Sequence, residues 1–174
     1  MNSIDVDSLR FRFPAGWSVT KYDDWSYYRN QFIKLRKGIK GVDLIALDIN
    51  KTVWFIEAKD YRDYKRRKEQ PIDEEVRDKV FSTLAGVLAA KFNANSSEEN
   101  DLAKKTVTAE KIRIVLHLEQ PLTESKLYNP LNTLANVQQR LRSLLKCIDP
   151  HLLVVDSSKM DKLSWSVTTA VRTS

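Results

Sequence analysis

Three side chains in this sequence have the types and spacing to work on a phosphate ester: Asp43, Glu57 and Lys59. Gly41-Val42-Asp43 opens one short apolar run, and Glu57-Ala58-Lys59 closes the next. In a strand, residues two apart share a face, so Glu57 and Lys59 lie side by side. A hairpin between the two runs folds Asp43 back toward them. Two carboxylates so placed can hold a divalent cation through oxygen, leaving positions for water and phosphate. The backbone carbonyl of Ala58, between them, is placed to add one more oxygen. A neighbouring lysine can orient or deprotonate a water, or stabilise charge building on the phosphate. Two histidines and one cysteine in the chain argue against a zinc site, and the carboxylates favour Mg²⁺, Mn²⁺ or Ca²⁺.

Register sets a condition on this reading. A two-residue turn at Asn50-Lys51 pairs Asp43 with Ala58 and turns its side chain to the wrong face. An odd-length loop pairs Asp43 with Glu57 instead. Glu-x-Lys is also a common tripeptide: Glu124-Ser125-Lys126 matches it, and Asp63-Tyr64-Lys65 is an acidic variant. Both lie in polar sequence. Only Glu57-Ala58-Lys59 ends an apolar strand whose partner carries an aspartate at its mouth. A charge on such a strand is costly without a partner or a task. A strand-end ion pair would use the same three residues.

The elements that must position these groups alternate along the chain. Leu9 to Phe13 (LRFRF) alternates apolar and basic residues, as a half-buried strand does. Trp17 to Tyr22 suits a second strand, and Asp24 to Leu35 a helix. Val42–Leu47 and Val53–Ala58 read as a buried hairpin around the polar turn Asp48–Thr52. Pro71 to Phe92 carries Val76, Val80, Leu84, Val87 and Leu88 at helical spacing, with Asp73, Glu74 and Glu75 in the first turn. Asn93 to Lys105 reads as a surface loop. Lys111–Leu118 is another buried strand. Asn129-Pro130 opens a helix to about Lys146, with Leu134, Val137, Leu141 and Leu145 inward. His151–Val155 is a last short strand, and Trp165 and Val167 suit an edge strand or docked tail. The sum is one α/β domain over residues 1–174, a mixed sheet with helices on either side.

The net charge of +6 argues mildly for a polyanionic partner. The cations cluster. Asp60 to Lys68 holds Arg62, Lys65, Arg66, Arg67 and Lys68 together with Tyr61 and Tyr64, a run that could grip phosphates and stack on bases. Lys40 precedes the Gly41-Val42-Asp43 turn, and Lys79 sits at the edge of its helix's apolar arc. His117 and His151 are expected to be structural. No apolar run approaches the roughly 20 residues of a membrane-spanning helix, the N-terminus lacks a secretion signal, and a lone Cys147 fits a reducing, cytoplasmic compartment.

Strand-borne Asp43, then Glu57-x-Lys59 on the next strand, then a helix and another strand, resembles the PD-(D/E)XK nuclease superfamily over roughly Asp24 to Leu118. Val42 stands where the family's name has proline. The resemblance implies a restriction-endonuclease-like core, a central mixed β-sheet flanked by α-helices. It implies Asp43 and Glu57 as Mg²⁺ (or Mn²⁺) ligands, Lys59 as the catalytic lysine, and hydrolysis of DNA phosphodiester bonds, with a homodimer as a possible assembly. The alternatives are a nucleic-acid-binding module that keeps this fold without cleaving, and a protein-interaction module in which the triad is a salt bridge.

Overall fold

The computed structural model describes residues 2–62, 70–121 and 133–170. Among them the strands form two sheets. The larger takes β3 (Ser18–Lys21), β4 (Leu44–Leu47), β5 (Thr52–Asp60), β6 (Lys111–Glu119) and β7 (Leu153–Val155), in that order. β3, β4 and β5 run antiparallel, and β5, β6 and β7 run parallel. The smaller takes β1 (Asn2–Val6), β2 (Leu9–Phe13) and β8 (Ser166–Thr169), all antiparallel, with β2 in the middle.

The β4–β5 register places Leu44 opposite Ile56 and Leu47 opposite Val53. The Asp48 amide donates to the Thr52 carbonyl, so the connecting turn is the three residues Ile49-Asn50-Lys51, of odd length, and Asp43 continues the ladder opposite Glu57. Lys51 takes a left-handed conformation in that loop, φ 56°, and Asp48 Oδ1 accepts the amides of Asn50 and Thr52. This side-chain bridge closes the turn without a glycine.

Helical crossovers carry the chain from β5 to β6 and from β6 to β7. Successive crossovers of one hand, made in one direction along a sheet, put their helices on the same face. On that face Ile45, Val53, Phe55, Ile114 and Leu116 pack with Val76, Val80 and Val87 of α2 (Ile72–Asn93) and Val137, Leu141 and Leu145 of α4 (Leu134–Leu145). The opposite residues, Leu44, Ala46, Ile56, Ala58 and Val115, pack instead on Leu9, Phe11, Phe13 and Val167 of the small sheet. Helices on either side of the sheet were expected; the described helices lie on one side and an antiparallel sheet covers the other. The alternation of LRFRF is the cause, since it gives β2 an apolar face that must be buried. Trp17, Trp54 and Trp165 close one edge of this inner layer in mutual ring contact.

Three further elements differ from expectation. Asn93–Lys105 is no loop: α3 (Ser97–Val107) runs through it. Ser96 caps its first turn by accepting from the Glu99 amide. Glu99 then accepts the amides of Ser26 and Tyr27, capping α1 (Ser26–Asn30), whose own N-cap residue Trp25 supplies no side-chain bond. The helix expected over Asp24–Leu35 breaks at Gln31, giving α1 and a short 3-10 turn, Phe32–Leu35. Helix α4 begins with Thr133 as N-cap; Asn129 and Pro130 lie outside the described residues.

Gly86 of α2 shows how tightly these pieces close. A β-carbon there would sit 2.0 Å from the Tyr22 hydroxyl and 3.1 Å from the Phe32 ring. Overpacking of this kind costs about 1–3 kcal/mol, against a helix-propensity gain of about 1 kcal/mol. With helix backbone on one side and two buried rings on the other, neither partner can retreat. Gly86→Ala is therefore expected to lower Tm, as followed by circular dichroism; an unchanged or raised Tm would show that the rings move freely.

Candidate functional site: a lysine-bridged carboxylate pair

Asp43, Ile45, Val53, Phe55, Glu57 and Lys59 fall on the helix-facing side of the sheet by strand alternation. Asp43 thus meets Glu57 and Lys59 where the β4–β5 hairpin opens. One Asp43 oxygen, Oδ2, accepts the Ala58 amide at 2.7 Å. This fixes the carboxylate across the mouth of the hairpin and leaves Oδ1 toward the helices. Lys79 reaches down from α2 and puts Nζ 2.5 Å from Glu57 Oε1 and 3.5 Å from Asp43 Oδ1. Lys59 Nζ is also 2.5 Å from Glu57 Oε1. Two carboxylates and two ammonium groups therefore meet, with one lysine bridging both acids.

Bonds around the cluster explain why α2 presents Lys79 there. The Thr83 hydroxyl donates to the Lys79 carbonyl and accepts the Val42 amide. Tyr28 Oη accepts the Gly41 amide. The segment Gly41-Val42 is thereby pinned against α1 and α2, just before Asp43. Gly41 cannot carry a side chain, since its β-carbon would lie 2.4 Å from the Tyr22 ring.

Glu57 is 1% exposed. Burial raises its carboxyl above the usual range, Asp43 adds to this, and the two lysines oppose it. Burial alone would lower Lys59, but Glu57 and Asp43 outweigh it and hold the ammonium charged well above its ordinary value. Asp23 is raised by its own burial and by Asp24 and Asp43, so it shares the field of the site. Glu75, buried on α2, adds to the raising of Lys59.

A divalent cation can be tested against these groups. Glu57 Oε2 is buried and accepts no hydrogen bond among the described residues. Among the same residues no three His, Cys, Asp or Glu side chains gather in one place. A cation here would have Asp43 and Glu57, with water or phosphate completing its shell. Mg²⁺ is commonly held in that way, by one or two carboxylates and substrate oxygens. The donors fit Mg²⁺ or Mn²⁺ in kind. Ala58 donates its amide to Asp43 and turns its side chain to the opposite face.

The expected nucleic-acid contacts fare unequally. Lys79 was expected on phosphate; it is 8% exposed and spent on the two carboxylates. Arg62 bonds Asp60 through two nitrogens and reaches Thr169 of β8, so its cation is directed toward the small sheet. Lys65, Arg66, Arg67 and Lys68 lie outside the described residues. Lys40 is exposed, at the end of a segment that also exposes Lys34, Arg36 and Lys37. Those three escaped the sequence reading, although KLRKGIK is as dense in charge as the run after Lys59. His117 is buried and shares a hydrogen bond through Nε2 with Glu119, which also takes the Ser157 hydroxyl and amide. Burial would raise Glu119, but these bonds hold it down at about 2. The pair is part of the packing between sheets, as expected for a structural histidine.

No family model matches the chain, and no solved structure matches it. It is similar to a cysteine–tRNA ligase of Neisseria meningitidis serogroup A, with 32% identity over an alignment of 212 positions that covers 97% of this chain. The chain spans 30% of the length of that relative. Among the described residues no helix is long and apolar enough to cross a membrane. The likeness corrects the functional expectation. A Mg²⁺-dependent deoxyribonuclease was expected from Asp43, Glu57 and Lys59; the relative aligned along nearly the whole chain is an enzyme, but a ligase named for tRNA and no nuclease.

Proposed function

We propose that this chain is a tRNA-binding module of a protein related to cysteine–tRNA ligases. The observation that carries the reading is the exposed segment Lys34–Lys40. It brings four cations to the surface and runs directly into Gly41-Val42-Asp43 at the charged cluster. Spaced cations on a protruding turn suit successive phosphates of an RNA backbone. Ile33 and Leu35 are exposed on the same turn and offer apolar contact to ribose or an unstacked base. The name of the relative supports tRNA over DNA as the polyanion.

The cluster behind the segment serves as its anchor. Lys79, Glu57 and Asp43 hold the end of the turn in place through a buried ion-pair network, and Tyr28 and Thr83 hold the residues between. Mg²⁺ bound by Asp43 and Glu57 would supply a second positive centre for a phosphate oxygen. We read the larger sheet as a restriction-endonuclease-like core put to binding. Its antiparallel β3-β4-β5, its parallel β5-β6-β7 and the position of Asp43 and Glu57-x-Lys59 support that reading.

Arg36→Ala with Lys37→Ala is expected to weaken tRNA binding and to flatten its dependence on log salt by roughly one unit for each phosphate no longer gripped. Both side chains are exposed, so folding should be untouched. An unchanged slope would place the RNA, if any binds, on another surface.

A further inference from the structure

Helix α2 has two apolar faces. One carries Val76, Val80 and Val87 into the core. The other points away from it: Phe81 is 69% exposed, Leu88 49% and Phe92 68%. Leu88 was expected to face inward with Val87; it lies instead on this outer stripe. Asp78, Phe81, Ala85, Leu88 and Phe92 follow one another at spacings of three, four, three and four residues, and all five are exposed. That is the period of a helix–helix seam, with positions alternating as in a coiled coil. A groove of about 610 Å³ runs alongside, walled by Leu84 and Val107. A helix apolar all round is normally covered all round, and an apolar patch of this kind on a protein surface marks an interaction site.

We infer that this stripe is the interface of a homodimer in which α2 packs antiparallel against α2 of a second copy. Charge selects that occupant and that direction. Asp78, whose carboxylate also holds Arg77 and the Gln70 amide, stands at one end of the seam and Lys91 at the other, its ammonium 5.2 Å from the centre of the Phe92 ring. A parallel copy would set like charge beside like. An antiparallel copy, with its two-fold axis between Leu84 and Ala85, sets Asp78 of each chain beside Lys91 of the other. It also sets Phe81 of each beside Leu88 of the other. The small side chain of Ala85 lies at the crossing point, where close approach of two helices needs it. The interface is isologous, as a closed two-fold dimer requires.

Sedimentation equilibrium of the full chain over a range of concentrations tests this. Twice the chain mass is expected at the upper end. Leu88→Glu puts a charge into the seam at a position already half exposed, so the fold should survive, checked by circular dichroism. It is expected to raise the dissociation constant by at least about tenfold. Asp78→Lys should weaken the dimer, and Asp78→Lys combined with Lys91→Asp should restore it. A monomer at every concentration would overturn the inference. So would a dimer indifferent to Leu88→Glu, or a double variant that associates no better than Asp78→Lys alone.

Discussion

Lys79→Met is expected to destabilise the chain by about 3–5 kcal/mol, the usual cost of leaving a buried charge without its partner. The lysine side chain is 9% exposed and touches Asp43 and Glu57 at once. Methionine fills the same length of helix-to-sheet space but leaves Glu57, 1% exposed, with Lys59 alone. Glu57 is already raised above its ordinary range by burial and by Asp43, and removing a cation raises it further. The unfolded state then ionises more readily than the folded one at neutral pH. The deficit should therefore shrink as pH falls through the acid range, because protonation relieves the folded carboxyl. Urea denaturation at pH 7 and pH 5 reads both effects. Glu57→Gln added to Lys79→Met should recover much of the loss, since it removes the uncompensated charge. A loss below about 1 kcal/mol, independent of pH, would make Lys79 an ordinary surface cation.

Asp149→Ala is expected to cost a similar amount by a different route. The carboxylate is 1% exposed and accepts the amides of Ile114 and His151, each at 2.8 Å. It also pairs with Arg113 at 3.3 Å. It thus ties the turn after α4 to the start of β6, fixing where β7 can lie beside β6. Alanine leaves two amides without acceptors, at about 1–3 kcal/mol for each that stays buried. Hydrogen exchange is the direct readout: the Ile114 and His151 amides should lose protection well beyond the global change in stability. Preserved protection at both would mean that water replaces the carboxylate.

Much of the architecture is written in local periodicity. The apolar runs of β4, β5 and β6 and the inward stripe of α4 can be read from spacing. The pairing of Asp43 with Glu57 was also anticipated, and so was the odd-length turn that delivers it, Ile49-Asn50-Lys51. The Asp48 side chain closes that turn by accepting the Asn50 and Thr52 amides, a contact that apolar alternation alone does not report. What could not be read depends on partners distant in sequence. LRFRF announces a half-buried strand, but not that β8, near the far end of the chain, completes its sheet. Lys79 lies at the edge of a helical arc, where solvent and core are equally open from the wheel alone. Only the position of Glu57 beneath it decides the matter. Ser96 and Glu99 do form an S-x-x-E signature for a helix start, yet the polar sequence that follows has the composition of a loop. The functional reading failed for another reason. Asp43, Glu57 and Lys59 specify a geometry, and a geometry on a widely used scaffold does not specify the reaction.

The most direct test of the central claim is the binding of a tRNA by the full chain, followed by fluorescence anisotropy as salt is raised from about 50 to 200 mM. If Lys34, Arg36, Lys37 and Lys40 each meet a phosphate, affinity falls with a slope near about −3 to −4 in log–log form. Duplex DNA of equal length should compete poorly, since its groove geometry and sugar differ from those of folded RNA. Absence of tRNA binding even at the lowest salt, or equal competition by DNA, would contradict the proposed function.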